Sequence, residues 1–253
     1  MGTIADGKLF VPEGHMYSPP LYHGAQQLAL NLTNGEVVWS IDAFDVTSGP
    51  AISDGVMVTL NAYDNQIYAY GKGPSKVTVT GPESAQAFGA PVLIKGTVTD
   101  ISAGSQQQAV AANFPNGLPC VSDESMTPWM EYVYMQQPCP TNVTGVEVII
   151  EVFDPNSNYY EVARTTSDAS GFFKATFVPP VPGAYTVIAR FAGSESYYGS
   201  YAETAVYVEE APVVTPEPTP VPQAPVETYF TVSTIAIIVA IVVVGVLLLR
   251  KRP

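Results

Sequence analysis

The sequence predicts an all-β protein that a single helix anchors in a membrane, and three observations support this. Charged residues make up only 13% of the 253 residues, whereas 23 prolines, 20 glycines and 15 tyrosines are typical of short strands joined by turns. An eight-residue motif near the N-terminus recurs 48 residues later. A run of 21 residues near the C-terminus contains no charged side chain.

The uncharged run, residues 229–249, is long enough to cross a bilayer as a helix. About 20 residues at about 1.5 Å each span the hydrocarbon core, and this run is apolar all round, whereas helices of this length in soluble proteins are amphipathic. Its hydroxyl side chains lie at 231–234, where they can bond back to helix carbonyls. Three basic residues follow it directly: Arg250, Lys251 and Arg252. By the positive-inside rule the tail 250–253 is cytoplasmic, and residues 1–228 lie outside the cell membrane.

The formal net charge of −13 excludes one class of partner. Three of the ten lysines and arginines belong to the C-terminal tail, so the rest of the chain is more acidic still. A surface of this kind repels phosphate backbones. We therefore expect no nucleic-acid binding.

Residues 211–228 form a proline-rich linker before the membrane run. Six prolines between 212 and 225 leave few backbone donors and few apolar side chains for a core. Such a segment favours polyproline II, a semi-rigid extended helix. We expect a stalk, because cytoplasmic domains that bind PxxP ligands cannot reach a segment outside the cell.

An imperfect repeat organises residues 1–73. Residues 4–11 (IADGKLFV) reappear as 52–59 (ISDGVMVT), and 27–30 are echoed by 66–70. The first copy predicts strands at 9–12, 27–31 and 37–41, with Asn34 and Gly35 supplying the positive φ angles of a tight hairpin. Short strands with a period of 40–50 residues are typical of β-propeller blades, so one to two blades are predicted.

Residues 28–42 (LALNLTNGEVVWSID) carry a resemblance to a known family. They resemble the A-x-D-x-x-T-G-x-x-x-W signature of the quinoprotein-like, PQQ-type β-propeller repeat, and 48–70 are similar to the opening strands of its next blade. Gly35 and Trp39 match the signature, whereas Asn31 and Asn34 replace its Asp and Thr. The resemblance implies that Trp39 packs between neighbouring blades, and it does not imply that the quinone cofactor binds.

Two features of that family's enzymes have no recognisable counterpart in this sequence. The quinone-dependent dehydrogenases have a vicinal Cys-Cys pair and a calcium site. A closed propeller also needs about four to eight blades, more than this chain supplies. We expect no catalysis, no cofactor and no metal. We expect the missing blades to lie upstream in a longer protein or on a partner chain. No basic-then-apolar leader opens the sequence, which favours a C-terminal part of a longer protein.

Residues 74–210 are predicted to form an immunoglobulin-like β-sandwich. Alternating patterns and turn signals mark seven strands at 76–80, 92–99, 146–153, 161–166, 172–178, 184–191 and 203–208. Residues 165–198 resemble Ig-like and carboxypeptidase-regulatory-like modules of archaeal and bacterial surface proteins. The order of repeat, sandwich, stalk and anchor resembles archaeal cell-surface proteins with PQQ-like repeats.

An insertion at 100–145 is too long for an ordinary strand connection. A short helix is predicted at 127–135, because a threonine and a proline open that segment. Its large side chains are expected to cover the sandwich edge, with an exposed binding face as the alternative: Trp129, Met130, Tyr132 and Met135. Cys120 and Cys139 are predicted to form a disulfide that staples the insertion, with two free thiols as the alternative.

Four further kinds of candidate site rest on weak patterns. They are two glycosylation sequons (Asn31 and Asn142), two acidic pairs (Asp123-Glu124 and Glu209-Glu210), an oxygen-rich segment (154–158) and two histidines on the loop 13–23 (His15 and His23). The acidic pairs are expected to be solvated, and the oxygen-rich segment to be a β-turn rather than a calcium loop. A metal or sugar site at the histidines is the alternative to an ordinary surface loop.

Two functions follow, from different classes. The favoured one is a surface-anchored, non-catalytic structural or adhesive module, whose partners are membrane lipid, a cell-envelope protein or glycan, and a chain that completes the propeller. The alternative is the membrane-proximal end of a quinoprotein-like surface oxidoreductase.

Overall fold

The computed structural model describes residues 2–13, 20–45, 49–210 and 226–251. The chain forms two compact units, Met1–Ala211 and Pro212–Pro253. Strands account for 46% of the protein and helices for 21%, with a curled half-barrel sheet and one apolar C-terminal helix. The predicted mostly-β class is confirmed at this level.

Two antiparallel meanders occupy the N-terminal third of the first unit. The first meander contains four strands in chain order, β1 (Thr3–Ala5), β2 (Lys8–Pro12), β3 (Gln26–Asn31) and β4 (Val37–Asp42). The second meander contains three, β5 (Ala51–Ser53), β6 (Val56–Asn61) and β7 (Gln66–Gly71). The strands predicted at 9–12, 27–31 and 37–41 are confirmed to within one residue at each end.

The sequence repeat is also a structural repeat, because the first hairpin of each copy has the same Asp-Gly dipeptide in its turn. Asp6 and Gly7 join β1 to β2 with φ angles of 47° and 66°, and Asp54 and Gly55 join β5 to β6 with 51° and 77°. Positive φ at both positions is the requirement of a two-residue hairpin turn. The tight turn predicted at Asn34-Gly35 is wrong.

The turn between β3 and β4 is a wider one. Among its residues only Gly35 has a positive φ, 75°. Asn34 instead supports the turn with its side chain, which accepts a hydrogen bond from the backbone N–H of Glu36 at 3.1 Å. An asparagine before glycine can therefore stabilise a turn through a hydrogen bond of its side chain, without a left-handed backbone conformation.

Two further sheets make up the rest of the first unit. One contains β8 (Ser75–Thr80), β10 (Val92–Asp100), β11 (Leu118–Pro119) and β14 (Phe172–Phe177). The other contains β13 (Tyr159–Thr166), β12 (Glu147–Phe153), β15 (Gly183–Gly193), β16 (Tyr198–Glu209) and β9 (Gln86–Ala87), in that order, with β9 parallel to β16. All seven strands predicted for this region are present. Both sheets share one hydrophobic core, which includes Val92, Ile94, Val98, Val148, Ile150, Val152, Val187 and Ala189.

The insertion contains a 3₁₀ turn (Gly104–Gln106) and two helices, α1 (Gln108–Asn113) and α2 (Asp123–Met135). The predicted start of the helix at 127 is wrong by four residues. Asp123 and Glu124 occupy the first turn of α2, where carboxylates are favourable, and Pro128 lies inside the helix. Trp129 is buried and packs in a small second core against Val110, Leu118 and Val121. Among the other side chains predicted to cover the sandwich edge, Met130 packs against both this second core and the core of the two sheets, and Tyr132 packs against the second core.

The second unit contains α3 (Val226–Arg250), which includes the predicted membrane run. The helix is long and apolar enough to cross a membrane, and none of its side chains is buried within the protein. The hydroxyl groups of Thr231 and Thr234 donate to the carbonyls of Glu227 and Phe230 at 2.6 and 2.8 Å, as predicted. The proline-rich residues 211–225 and Arg252 lie outside the described residues.

Glu151 and Arg190 form a two-point ion pair between the neighbouring strands β12 and β15. Arg190 Nη2 lies 2.7 Å from Glu151 Oε1, and Arg190 Nε donates to Oε2 at 2.9 Å. The Glu151 side chain is only 8% exposed. The hydrogen bonds from Arg190 hold the pKa of the Glu151 carboxyl below its ordinary value.

Glu151→Gln is expected to lower the free energy of unfolding by about 1–3 kcal/mol at pH 7, because Arg190 loses its charged partner. Because the carboxyl pKa is lower in the folded state than in the unfolded state, the ion pair stabilises the fold at a pH above the ordinary pKa of glutamate. This stabilisation is lost as the pH falls through the lowered pKa. The deficit should therefore shrink between pH 7 and pH 3 when thermal unfolding is followed by near-ultraviolet circular dichroism. Glu161→Gln, which removes an exposed pair with Arg164, is the control and should cost under about 1 kcal/mol. A deficit of equal size at both pH values would contradict this account.

Candidate interaction surface

One side of the first meander packs against one side of the second. Thr3, Phe10, Ala29 and Trp39 lie opposite one another across the four strands and therefore on the same side. The Trp39 ring meets the Tyr70 ring edge-on, with centroids 5.5 Å apart. Thr3 Oγ1 donates to the carbonyl of Pro50, just before β5, at 2.7 Å. Trp39 thus lies at the contact between the two repeats.

Polar groups at one end of the meanders tie the two repeats together. The Asn61 side-chain carbonyl accepts hydrogen bonds from the backbone N–H groups of Phe44 and Tyr63, at 3.0 and 3.1 Å. The Tyr63 hydroxyl accepts from the backbone N–H of Ala25 and donates to the carbonyl of Tyr22. Because Asn61 is almost fully buried, these bonds fix the relative position of the repeats.

Helix α2 connects both meanders to the two-sheet region. Glu131 Oε1 accepts from the backbone N–H of Asp42 in β4 at 2.9 Å. The Tyr68 hydroxyl, in β7, lies 3.1 Å from the carbonyl of Tyr134 and 2.6 Å from Asp64 Oδ2. Burial raises the pKa of Glu131, and the nearby Asp42 carboxylate adds to the effect. The insertion therefore positions the repeats.

The opposite side of the second meander is exposed and apolar. We call it the β5–β7 outer face, and it consists of Ala51, Val56, Val58, Leu60, Ile67 and Ala69. These residues are neighbours across the strands, since Val58 lies opposite both Ala51 and Ala69, and Leu60 lies opposite Ile67. Ile67 is 74% exposed.

The opposite side of the first meander is also apolar, but it is only partly exposed. We call it the β1–β4 outer face, and it consists of Ile4, Leu9, Val11, Leu28, Leu30 and Val37. Ile4, Leu9, Leu30 and Val37 form one row across the four strands. Ile4 is 66% exposed. Contiguous exposed apolar surface is a common feature of interaction sites, so the two outer faces are the candidate surface.

Sequence reasoning did not single out these two faces. The segments 56–60 (VMVTL) and 67–70 (IYAY) are apolar at nearly every position, which is typical of strands covered on both sides. That signal was available in the sequence. The sequence does not show which side of each meander the neighbouring repeat covers.

The predicted disulfide is not supported. Cys120 and Cys139 are both free thiols: Cys120 is buried within the core of the two sheets, whereas Cys139 is exposed. Burial, with the nearby Asp100 carboxylate, raises the pKa of the Cys120 thiol. The insertion is held by the packing of Trp129 and the bonds of α2 instead of a covalent staple.

The candidate carboxylates make structural contacts. Asp123 accepts hydrogen bonds from Ser194 Oγ and from the backbone N–H groups of Glu195 and Ser196, each at 3.0 Å. Asp154 accepts from the backbone N–H groups of Asn156 and Asn158, which closes the turn predicted at 154–158. Both carboxylates therefore serve the fold.

Four other candidates are exposed on the surface. Glu124 lies in the first turn of α2, Glu209 ends β16 and Glu210 follows it. His23 is exposed and His15 falls outside the described residues. Within residues 2–13, 20–45, 49–210 and 226–251, no group of three or more His, Cys, Asp or Glu side chains could hold a metal ion.

The two sequons differ in accessibility. Asn142 lies exposed in the segment after Cys139. Asn31 is half-buried at the end of β3, and its Oδ1 accepts a hydrogen bond from the backbone N–H of Thr33 at 2.8 Å. Glycosylation at both positions stays a prediction, with Asn142 the more accessible acceptor.

Comparison with known proteins adds no family. No protein-family model and no curated protein matches the chain. Among solved structures, the crystal structure of Salmonella alpha-2-macroglobulin reacted with methylamine is similar over 82% of this chain, with 9% identity and a TM-score of 0.28. The chain spans 15% of the length of that protein. A likeness at this TM-score defines neither fold nor function.

Proposed function

We propose that this protein is a single-pass, non-catalytic module of the cell surface. In this proposal the N-terminal meanders are propeller-type repeats of the PQQ-like kind, and the two sheets beyond them form an Ig-like sandwich. A proline-rich stalk displays both outside the cell. The observation that carries the proposal is α3, a helix of 25 residues that is long and apolar enough to cross a membrane and has no buried residue.

The charge distribution around α3 supports the proposed orientation. Arg250 ends the helix and Lys251 follows it, whereas Glu227 lies in its first turn. Basic residues next to a membrane span favour the cytoplasmic side. The acidic first unit would then lie outside.

The two outer faces support a binding role rather than a purely mechanical one. Each is apolar across three or four strands, and Ile67 and Ile4 are largely exposed. A soluble surface gains nothing from such patches unless a partner covers them. We propose that these faces are where the module meets other proteins.

The free thiols of the chain allow a direct test of orientation. In intact cells that express the full chain, a membrane-impermeant maleimide is expected to label the exposed Cys139 but not the buried Cys120. Cys139→Ser should abolish the labelling. Adding Lys251→Cys to that variant should restore it only after the cells are permeabilised. Labelling of Cys139 that needs permeabilisation would show the opposite orientation and overturn the proposal.

A further inference from the structure

We propose that copies of this chain associate head to tail through their meanders, with the β5–β7 outer face of one copy packed on the β1–β4 outer face of the next. The inference rests on the proposed function, in which these faces meet proteins. It names the partner as a second copy of this chain. The contact inside one chain, between its own two repeats, is the template for the contact between chains.

The internal repeat relates the exposed face of the second meander to a covered face of the first. A shift of 48 residues carries Thr3, Phe10 and Pro12 onto Ala51, Val58 and Leu60. The first set lies on the side of the first meander that packs against the second. The second set lies on the β5–β7 outer face. The face that binds a following repeat is thus present again, without its partner.

The converse relation holds for the first meander. The same shift carries Ile4, Leu9 and Val11 of the β1–β4 outer face onto Ile52, Met57 and Thr59. Met57 and Thr59 are 5% and 3% exposed. The face that receives a preceding repeat is therefore covered in the second meander and open in the first.

The third strand of each meander, β3 and β7, shows the same correspondence between an open face and a covered one. A shift of 40 residues carries Leu28 and Leu30 of the β1–β4 outer face onto Tyr68 and Tyr70. Tyr70 is the residue that meets Trp39 of the preceding repeat. The correspondence therefore extends over three strands, and a second copy carries the complement of each open face.

A contact between two different faces has consequences for the size of the assembly. Such an interface does not pair with itself, so it builds a ring when the rotation closes and an open chain when it does not. Closed propellers contain about four to eight such units, and each chain contributes two meanders. A ring would hold about two to four copies.

Net charge gives the association a recognisable salt dependence. The chain carries a formal net charge of −13, which makes copies repel, whereas the twelve residues that define the two outer faces are all uncharged. Added salt screens the repulsion and leaves the apolar contact in place. Association is therefore expected to strengthen with salt.

Two single variants and their mixture test the proposal. Ile67→Glu blocks the β5–β7 outer face and Ile4→Glu blocks the β1–β4 outer face. Val178→Glu introduces the same charge at an exposed apolar position away from both faces. The first two side chains are 74% and 66% exposed, so the variants should unfold within about 2 °C of the wild type.

Sedimentation velocity of the full chain in a density-matched detergent measures the outcome. The wild type and Val178→Glu are expected to form discrete oligomers, and each face variant to bind itself at least tenfold more weakly. An equimolar mixture of Ile67→Glu and Ile4→Glu should form a dimer, because one intact face of each kind is left. A monomeric wild type, or an Ile4→Glu variant that assembles as the wild type does, would overturn the proposal. Neither result affects the orientation measured with Cys139.

Discussion

Replacing Val239 and Ile241 by arginine is expected to release the protein from the membrane. Both residues lie near the middle of α3, so a helix that spans the membrane would place them at the centre of the hydrocarbon. Each central arginine costs about 2.5–3.5 kcal/mol of insertion free energy, so the pair costs about 5–7 kcal/mol. After alkaline carbonate extraction, the wild type should stay in the membrane pellet and most of the double variant should move to the supernatant.

The matched control changes the same positions without adding charge. Val239→Leu with Ile241→Leu keeps the helix apolar and should stay in the pellet with the wild type. Retention of the arginine variant in the pellet would mean that something other than α3 binds the protein to the membrane.

Gly96→Val is expected to cause the largest loss of stability in the first unit, about 3 kcal/mol or more. Gly96 lies in β10, between the β8 and β14 strands that flank it. A Cβ at this position would overlap the carbonyl oxygen of Thr78 and lie 2.5 Å from Cζ of the Phe173 ring. Backbone on one side and a core aromatic ring on the other leave no room for relief.

Thermal unfolding of the full chain measures this effect. Gly73→Ala is the control, because the nearest atoms to its added Cβ lie 3.8 Å away, an ordinary contact. We expect Gly73→Ala to unfold within about 2 °C of the wild type and Gly96→Val many degrees earlier. Similar unfolding temperatures for the two would show that β10 can move away from Thr78.

Local patterns predicted the strands well, for a clear reason. In β12 (EVIIEVF) and β15 (GAYTVIARFAG), apolar side chains recur in short runs with turn residues at their ends. Both strands lie in the interior of a sheet. Pattern and burial agree there, so prediction and structure agree. The uncharged run of α3 is a stronger signal of the same kind.

Prediction failed where contacts between distant parts of the chain determine the local structure. Cys120 and Cys139 are close enough in sequence to suggest a disulfide, but the core of the two sheets takes in Cys120 and leaves Cys139 exposed. Asp123, in the first turn of α2, accepts hydrogen bonds from the distant turn at 194–196. Neither contact can be inferred from neighbours in sequence.

The turns give a finer example of the same limit. Asn34-Gly35 is a strong signal for a tight hairpin, yet the tight turns lie at Asp6-Gly7 and Asp54-Gly55. All three are glycine dipeptides of the type that favours positive φ. Four residues separate Asn31, the last residue of β3, from Glu36, the residue before β4, and the backbone groups of these two bond at 2.8 Å, so the strand register selects the wider turn.

The central claim, that the second meander packs on the first meander of another copy, is tested most directly by photo-cross-linking. A benzophenone amino acid at position 67 of the full chain in lipid vesicles is illuminated, and the joined peptides are identified by mass spectrometry. We predict products between two copies, with the second peptide drawn from 4–11, 28–30 or 37. The same probe at position 178 should give no such product. Cross-links from position 67 to lipid alone, or only to other segments of the chain, would contradict the claim.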